Sequence, residues 1–167
     1  MSAISLRPYL PADLRRCAKI FRAAIEVSAS EDYGDDQIEA WAGRADDLEA
    51  FGARLRPALT LVALIDHEPV GFASLRDDKE LDMLYVDPRF GRRGVGSAMI
   101  DALARLAAGR GVELVSTQAS DTARALFERH GFVAQRRNIV QIGDQWLANT
   151  TMTKRLEPQS GKDPTRH

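Results

Sequence analysis

The sequence has almost no cysteine, since Cys17 is the single one among 167 residues. One cysteine excludes a disulfide within the chain and a cysteine-based metal site. The apolar helix face around Cys17 predicts a buried thiol rather than a nucleophile. Charge of either sign is not in excess, because 23 Lys and Arg offset 24 Asp and Glu to give a net charge of −1. This balance is not typical of nucleic acid binders, and we expect no nucleic acid partner.

Long hydrophobic runs are also missing. No stretch approaches the roughly 20 apolar residues that a membrane-spanning helix needs, and the first residues lack the apolar segment of a signal peptide. We therefore expect a cytoplasmic protein without a membrane partner. No cluster of His, Cys, Asp and Glu has the spacing of a metal site, so we expect no metal.

The length of 167 residues and the hydrophobic content of 44% suit one soluble domain. We place that domain at residues 1–156. The segment 157–167 contains prolines and charges but no apolar side chain, which predicts a disordered tail.

The hydrophobic periodicity predicts a mixed α/β fold, in the order strand, helices, three strands, helix, strand, helix and two strands. Both tryptophans, Trp41 and Trp146, and the helical Leu106 are expected in the core. Predicted strands cover residues 4–9, 59–65, 70–75, 81–86, 112–117, 132–142 and 145–154, and predicted helices cover residues 36–42, 46–55, 98–108 and 121–130, after a first helix near residue 11.

The segment LDMLYVDPRFGRRGVGSAMIDAL joins a predicted strand to a predicted helix through a basic, glycine-rich loop. Backbone N–H groups at the start of a helix are unpaired and lie at the positive end of its dipole. Three glycines leave room for an anion, and two arginines add positive charge. These residues are Gly91, Gly94 and Gly96, with Arg92 and Arg93. The loop therefore predicts a site for a pyrophosphate-bearing cofactor.

Other interpretations of this loop are less consistent with its residues. A P-loop ends in Gly-Lys followed by Ser or Thr, which is absent. A Rossmann loop has a third glycine where Met99 stands, and it lies near the start of a βαβ unit rather than in mid-chain. A plain glycine-rich turn explains the glycines, but two arginines beside a helix start suit an anion better.

The stretch VDPRFGRRGVGSAMIDAL resembles the acyl-CoA-binding motif of the GCN5-related N-acetyltransferase (GNAT) superfamily, and ARALFERHGFV resembles the segment that follows it. The likeness spans about residues 4–156 and is greater to the YafP-type bacterial branch, through SASEDYGDDQIEAWA and WLANTTMTKRL. It implies the GNAT acyl-CoA N-acyltransferase fold, with a mixed, mostly antiparallel sheet of six or seven strands flanked by helices. It also implies transfer of an acetyl group from acetyl-CoA to the amine of a small molecule.

The resemblance further implies which residues bind the coenzyme. The main chain of Leu84, Tyr85 and Val86 would pair with the pantetheine arm as an added strand. Gly91 stands where the family usually has Gln or Arg, and Arg92 stands where glycine is common. The main chain would still hold the pyrophosphate, through Arg92, Arg93, Gly94, Val95, Gly96 and Ser97.

Acetyl transfer needs a base, because a protonated amine has no lone pair with which to attack. In the family the base often comes from the strand before the loop, and the matching positions are Glu80 and Asp82. They are two residues apart, so both side chains should lie on one face of the strand. Asp82 lies deeper in the apolar run, where a lone carboxylate is costly. Which of the two is the base stays open. A second interpretation also stays open, in which both are solvated carboxylates at the start of a strand and have no catalytic role.

The general acid is absent from its usual place. Many family members protonate the departing thiolate with a tyrosine, but the matching residue is Phe127, which we place in the coenzyme site without that role. Tyr33 and His130 are candidate replacements, although His130 also suits the end of a helix. The thiolate could equally leave unaided, since a free thiol has a pKa of about 8.5.

The missing tyrosine keeps a second hypothesis open, a non-catalytic acyl-CoA-binding module or sensor. The sequence does not identify the acceptor amine. Dimers are common in the fold, so a homodimer is a further partner that the resemblance allows.

Overall fold

The computed structural model describes residues 3–157, which form a seven-stranded sheet with helices on both faces. The predicted tail 157–167 lies outside the described residues, except for Glu157. The helices are α1 (Leu14–Ala23), α2 (Asp35–Ala42), α3 (Leu48–Leu55), α4 (Val95–Gly109) and α5 (Arg124–Arg129). The strands are β1 (Ile4–Pro8), β2 (Leu59–Ile65), β3 (Glu68–Arg76), β4 (Glu80–Val86), β5 (Leu114–Ser120), β6 (Val133–Ile142) and β7 (Gln145–Arg155).

The strand order is β1-β2-β3-β4-β5-β7-β6, and every neighbouring pair is antiparallel except β4 and β5. The expected mixed, mostly antiparallel sheet of six or seven strands is therefore confirmed. The one parallel pair arises because α4 carries the chain back across the sheet between β4 and β5.

Each face of the sheet has its own hydrophobic cluster. Met99, Ile100 and Leu103 of α4 are at most 1% exposed and belong to the cluster on one face. Phe21 of α1 and Phe51 of α3 pack edge to face on the other, with 5.2 Å between their ring centroids. Burial on both faces explains why the central strands are nearly continuous apolar runs in the sequence.

Some predicted boundaries differ from the structure. Helix α4 begins at Val95 rather than at residue 98, because Gly94 is left-handed (φ 82°) and lets the helix start directly after the loop. Strand β5 lies two to three residues later than predicted, and α5 is shorter at both ends.

Three side chains test the predicted core. Cys17 is fully buried, as expected. Leu106, however, is 39% exposed and Trp146 is 57% exposed, so their predicted burial was wrong. Leu106 lies at the edge of the buried stripe of α4. Trp146 lies near the start of β7, before the residues that pair with β5, so β7 is paired there with β6 alone.

One extra residue in β4 interrupts its pairing with β3. Leu75 of β3 pairs with Leu81 and Ser74 pairs with Met83, so Asp82 has no partner in β3. Leu81 joins the α4 cluster and Met83 joins the α1–α3 cluster, although residues two apart normally share a face. Asp82 keeps the side of Glu80, as alternation requires, and the bulge brings Met83 to the same α1–α3 side.

Strands β4 and β5 pair over only two residues, Glu80 with Ser116 and Leu81 with Thr117. Beyond that point β4 remains paired with β3 as far as the end of β4. Strand β5 likewise remains paired with β7 as far as its own end. A gap therefore opens between β4 and β5 in the direction of the loop that follows β4.

Asp87 holds the turn from β4 into this loop. Its carboxylate is 6% exposed and accepts hydrogen bonds from the Arg16 and Arg89 side chains, each at 2.9 Å, and from the Arg89 N–H at 3.0 Å. Burial alone would raise the pKa of Asp87, but these hydrogen bonds outweigh it and hold the pKa below its ordinary value.

Gly71→Ala should destabilise the contact between β3, β4 and α4. A Cβ at Gly71 would lie 3.1 Å from the Tyr85 carbonyl oxygen and equally near side-chain atoms of Met99 and Val95. We expect a loss of about 1–3 kcal/mol in the free energy of unfolding, measured with urea. Gly43→Ala is the control, because the nearest atom there is 3.6 Å away. Equal stability of the two variants would contradict the tight packing at Gly71.

Asp87→Asn should lower the free energy of unfolding by about 1–3 kcal/mol at pH 7, because an amide cannot replace the charge-assisted hydrogen bonds. Since the folded-state pKa is depressed, the stabilisation is present above the unfolded-state pKa of about 3.9 and is lost as the pH falls through the folded-state pKa. The difference between wild type and variant should therefore shrink below about pH 4. Asp144→Asn, in the exposed β6–β7 turn, is the control. A difference that stays constant down to acid pH would contradict this role.

Candidate active site

The loop after β4 presents unpaired main-chain N–H groups at the start of α4. The first helical hydrogen bond runs from the Ala98 N–H to the Gly94 carbonyl, at 2.9 Å. The N–H groups of Val95, Gly96 and Ser97 have no backbone acceptor within residues 3–157, as is usual in a first helical turn. Because α4 is 15 residues long, its dipole adds positive potential at the same place.

Two left-handed residues shape the loop, Arg92 with φ 61° and Gly94 with φ 82°. Glycine adopts this conformation freely, whereas for an arginine it costs about 1–2 kcal/mol, and such strain is concentrated at functional sites. Gly96 is required for another reason, since a Cβ there would lie 3.0 Å from a side chain of α5. Arg93 stacks on Phe90 at 5.5 Å. The loop is therefore held in a concave shape that suits an anion.

His130 joins the end of α5 to the start of α4. Its Nε2 lies 2.9 Å from the Ser97 Oγ, and its Nδ1 lies 3.1 Å from a carboxylate oxygen of Asp101. It stands at the C-terminal end of α5, as its sequence position suggests. The ring supports the loop and is not brought together with Glu80 or Asp82.

Two residues of β4 direct their main-chain groups into the gap. In an antiparallel pair, successive residues alternate between bonding the partner strand and facing away from it. The Asp87 N–H donates to the Val70 carbonyl at 2.8 Å, so Tyr85, two residues earlier, also faces β3. Leu84 and Val86 consequently face β5, which no longer pairs with them. Only Leu84 and Val86 of the three predicted residues therefore offer main-chain groups to a ligand in the gap.

Three adjoining cavities follow the gap. The loop cavity, of about 190 Å³, is lined by Leu84, Val86 and Gly96. The gap cavity, of about 60 Å³, lies between β4 and β5 against Asp82 and Phe127. The charged cavity, of about 340 Å³, lies on the α1–α3 side. The residues that line all three are Trp41, Tyr85 and Ser120. This overlap makes the three cavities one cleft.

Glu80 and Asp82 both line the charged cavity, as their spacing suggests. The Asp82 carboxylate is 11% exposed and lies 3.2 Å from Arg54 and 3.9 Å from Arg76. Glu80 is 26% exposed and pairs with Arg76 at 2.5 Å. Of the two carboxylates, Asp82 alone also lines the gap cavity. Asp82 therefore stands where the gap meets the charged cavity.

The predicted acid Tyr33 has its hydroxyl fully engaged. It donates to the Ala148 carbonyl at 2.7 Å and accepts from the Asp121 N–H at 2.9 Å, and burial raises its pKa. This geometry counts against Tyr33 as a catalytic residue and gives it a structural role. Phe127 is 2% exposed and packs edge to face on Phe132, with 5.1 Å between ring centroids.

Sequence reasoning missed the side chain of Tyr85. Its ring packs on Phe21, with 4.6 Å between centroids, and lies edge to face with Trp41, with 6.4 Å between centroids. Burial raises the pKa of Tyr85 to about 12, so the hydroxyl keeps its proton at neutral pH. An aromatic residue in a strand is equally typical of core, so the sequence contained no distinguishing signal.

Three arginines of the charged cavity were also missed. Arg44 lies in the short turn Gly43–Ala45, Arg54 lies near the end of α3, and Arg76 ends β3. They meet in one cavity although they come from three separate elements, and no spacing in the sequence connects them.

The structure also bears on two broader classes of site. Within residues 3–157, no group of three or more His, Cys, Asp or Glu side chains is placed to hold a metal ion. In the same part of the chain, no helix combines the length and the apolar character needed to span a membrane.

Comparison with known proteins agrees with this architecture. The acetyltransferase (GNAT) domain family matches residues 29–156. YafP of Escherichia coli (strain K12), described as an uncharacterized N-acetyltransferase, is 36% identical over 159 residues, covering 95% of this chain and 99% of that protein. A GCN5-related N-acetyltransferase from Rhodopseudomonas palustris has a crystal structure that is 51% identical, with a TM-score of 0.91 over 93% of this chain and 98% of that chain.

A more distant neighbour shares the fold. The PaiA N-acetyltransferase from Thermoplasma acidophilum, solved in complex with coenzyme A, has a TM-score of 0.73 at 18% identity, over 92% of this chain and 99% of that chain. Together with the family match and the two closer relatives, the sheet and its cleft show that this chain belongs to the GNAT acetyltransferase family and is an acyltransferase.

Proposed function

We propose that this acyltransferase moves the acetyl group of acetyl-CoA to the primary amine of a small molecule by direct attack. The observation that carries the proposal is the continuity of the cleft. One end is an anion-binding loop, the other is a cavity with carboxylates, and the gap between β4 and β5 joins them. A long thioester that bears a pyrophosphate suits the loop and the gap, and a small amine suits the cavity with the carboxylates.

Main-chain groups hold the donor in this proposal. The N–H groups of residues 92–97 bind the pyrophosphate, and Leu84 and Val86 pair with the pantetheine arm as an added strand. The Arg92 side chain forms no hydrogen bond or ion pair within the described residues and is available to a phosphate. Phe127 contributes an apolar wall of the gap. The Thermoplasma neighbour supports this assignment, since the same fold was solved there with coenzyme A.

The reaction exchanges a C–S bond for a C–N bond. The amine nitrogen attacks the thioester carbonyl carbon, and the Leu84 N–H, which faces the gap, donates to the oxygen that becomes negative. The amine loses one proton to become a nucleophile and a second as the amide forms. Asp82 accepts a proton directly or through a water, because it lies where the gap meets the charged cavity. One proton ends on the coenzyme A sulphur and the other in solvent.

Tyr85 assists the leaving group. Its hydroxyl is protonated at neutral pH and its side chain lines all three cavities. With a pKa of about 12, it is a weaker acid than a thiol of pKa about 8.5, so complete proton transfer would be uphill. We assign it a hydrogen bond to the departing sulphur, which takes its proton from solvent.

A covalent acyl-enzyme at Cys17 does not fit this site. The thiol is fully buried, and burial raises its pKa to about 12. A thiol in this state is not a nucleophile at neutral pH, which favours direct attack by the amine.

Asp82→Asn should lower kcat for acetyl transfer by about 10²- to 10⁴-fold at pH 7, because the amide cannot accept the proton. Thiol release with acetyl-CoA and a panel of amines measures kcat, and calorimetric titration should show unchanged affinity for coenzyme A. Glu80→Gln makes the same chemical change in the same cavity but away from the gap, and should reduce kcat much less.

Equal losses in the Asp82 and Glu80 variants would contradict the assignment of Asp82. A protein that binds coenzyme A but releases no thiol with any amine would overturn the proposed reaction and favour a binding module.

Tyr85→Phe should lower kcat by about 10- to 100-fold, the usual effect of removing a hydrogen bond to a charged group. Tyr33→Phe is the matched control, because it removes a hydroxyl that bonds the main chain instead. It should lower the melting temperature and change kcat by only a few-fold. A larger loss of kcat in Tyr33→Phe than in Tyr85→Phe would contradict both assignments.

A further inference from the structure

The charged cavity contains one guanidinium more than its carboxylates balance. Arg54 pairs with Asp82 at 3.2 Å, and Arg76 pairs with Glu80 at 2.5 Å. Arg44 lines the same cavity and forms no hydrogen bond or ion pair within residues 3–157. The side chains that line the cavity therefore carry a surplus of one positive charge.

Arg44 lies in surroundings that disfavour its charge. Its side chain reaches the surface, yet partial burial and the neighbouring charge of Arg54 hold the pKa of Arg44 below its ordinary value. Two guanidinium groups that line one cavity repel each other, and an anion between them and the substrate amine relieves this repulsion. Glu80 and Asp82 already pair with Arg76 and Arg54, so the anion for Arg44 would come from a ligand.

We propose that Arg44 binds a carboxylate of the acceptor, and that the acceptor is a small amino carboxylate. This inference rests on the proposed function, because it names the substrate class of the same site. The two parallel N–H groups of a guanidinium match the two oxygens of a carboxylate. The acceptor would thus lie with its amine toward Asp82 and its carboxylate toward Arg44.

Charge balance favours a carboxylate over a phosphate. One carboxylate cancels the surplus charge once the amine is in its neutral, reactive form. A phosphate monoester carries about −1.5 to −2 charges and would leave the occupied cavity negative.

The remaining wall indicates the size and polarity of the acceptor. A cavity of about 340 Å³ is at the small end of the range for ligand sites. Phe21, Ile142 and Leu147 form an apolar part of its wall. An amino carboxylate with a hydrocarbon side chain fits this wall better than a sugar or a polyamine does.

The test compares acceptors that differ only in the carboxylate. Thiol release from acetyl-CoA is measured with leucine and phenylalanine, with their methyl esters, and with the corresponding decarboxylated amines. Rates are compared per neutral amine, since the ester lowers the pKa of its amine. We expect kcat/KM to be about 10- to 100-fold higher for the free acids. Equal values for acid and ester would overturn the inference.

Variants of Arg44 separate binding from folding. Arg44→Gln should lower kcat/KM for the acids to the level of the esters, mainly through KM. Arg44→Glu should reverse the preference in favour of the decarboxylated amines. Arg105→Gln, an exposed position of α4 outside all three cavities, is the matched control and should behave as wild type.

A thermal readout tests the same contact without turnover. Saturating leucine or phenylalanine should raise the melting temperature of the protein with coenzyme A bound, but not that of Arg44→Gln, which should itself be as stable as wild type. If Arg44→Gln lowers kcat/KM equally for acids and esters, the proposed role of Arg44 is overturned. If the protein acetylates only amines that lack an anionic group, the proposed substrate class is overturned. If it binds acetyl-CoA but acetylates no amine, the proposed acetyl transfer itself is overturned.

Discussion

The parting of β4 from β5 is the constraint on which the rest of the structure depends. The two strands share only two residue pairs, yet each keeps a full antiparallel partner, β3 on one side and β7 on the other. Neither strand therefore needs the other for its own hydrogen bonds. The gap exposes the main chain of Leu84 and Val86, where an unpaired polar group inside a protein needs a ligand or water. The cleft and its access to Asp82 both follow from this separation.

The carboxylates of β4 add the chemistry to this architecture. Asp82 lies with Glu80 on the α1–α3 side, where Arg54 and Arg76 reduce the cost of its burial. The same cavity is lined by Arg44, which forms no ion pair within residues 3–157. A site built in this way can hold a carboxylate near a reacting amine and still leave Asp82 in contact with the gap.

Features that depend on local sequence could be predicted, and features that depend on distant contacts could not. The strands, the glycine loop and its helix are visible in periodicity and in turn residues, and the family resemblance gave the sheet. The spacing of Glu80 and Asp82 predicts a shared side, although the bulge that leaves Asp82 without a partner in β3 is invisible in the sequence. The hydrogen bonds of the Tyr33 hydroxyl could not be predicted, because its partners lie 115 and 88 residues away. The roles proposed for Arg44 and for the Tyr85 hydroxyl depend on contacts that form only when α1–α3 and β4 pack around the cleft.

Amide hydrogen exchange along β4, followed by NMR with and without acetyl-CoA, tests the central claim most directly. In the free protein the Tyr85 amide, bonded to β3, should exchange slowly, while the Leu84 and Val86 amides should exchange faster. Saturation with acetyl-CoA should slow Leu84 and Val86 by at least about tenfold, because the added strand gives them acceptors. Slow exchange at all three residues before binding, or no change at Leu84 and Val86 on binding, would contradict the claim that the gap between β4 and β5 holds the acyl donor.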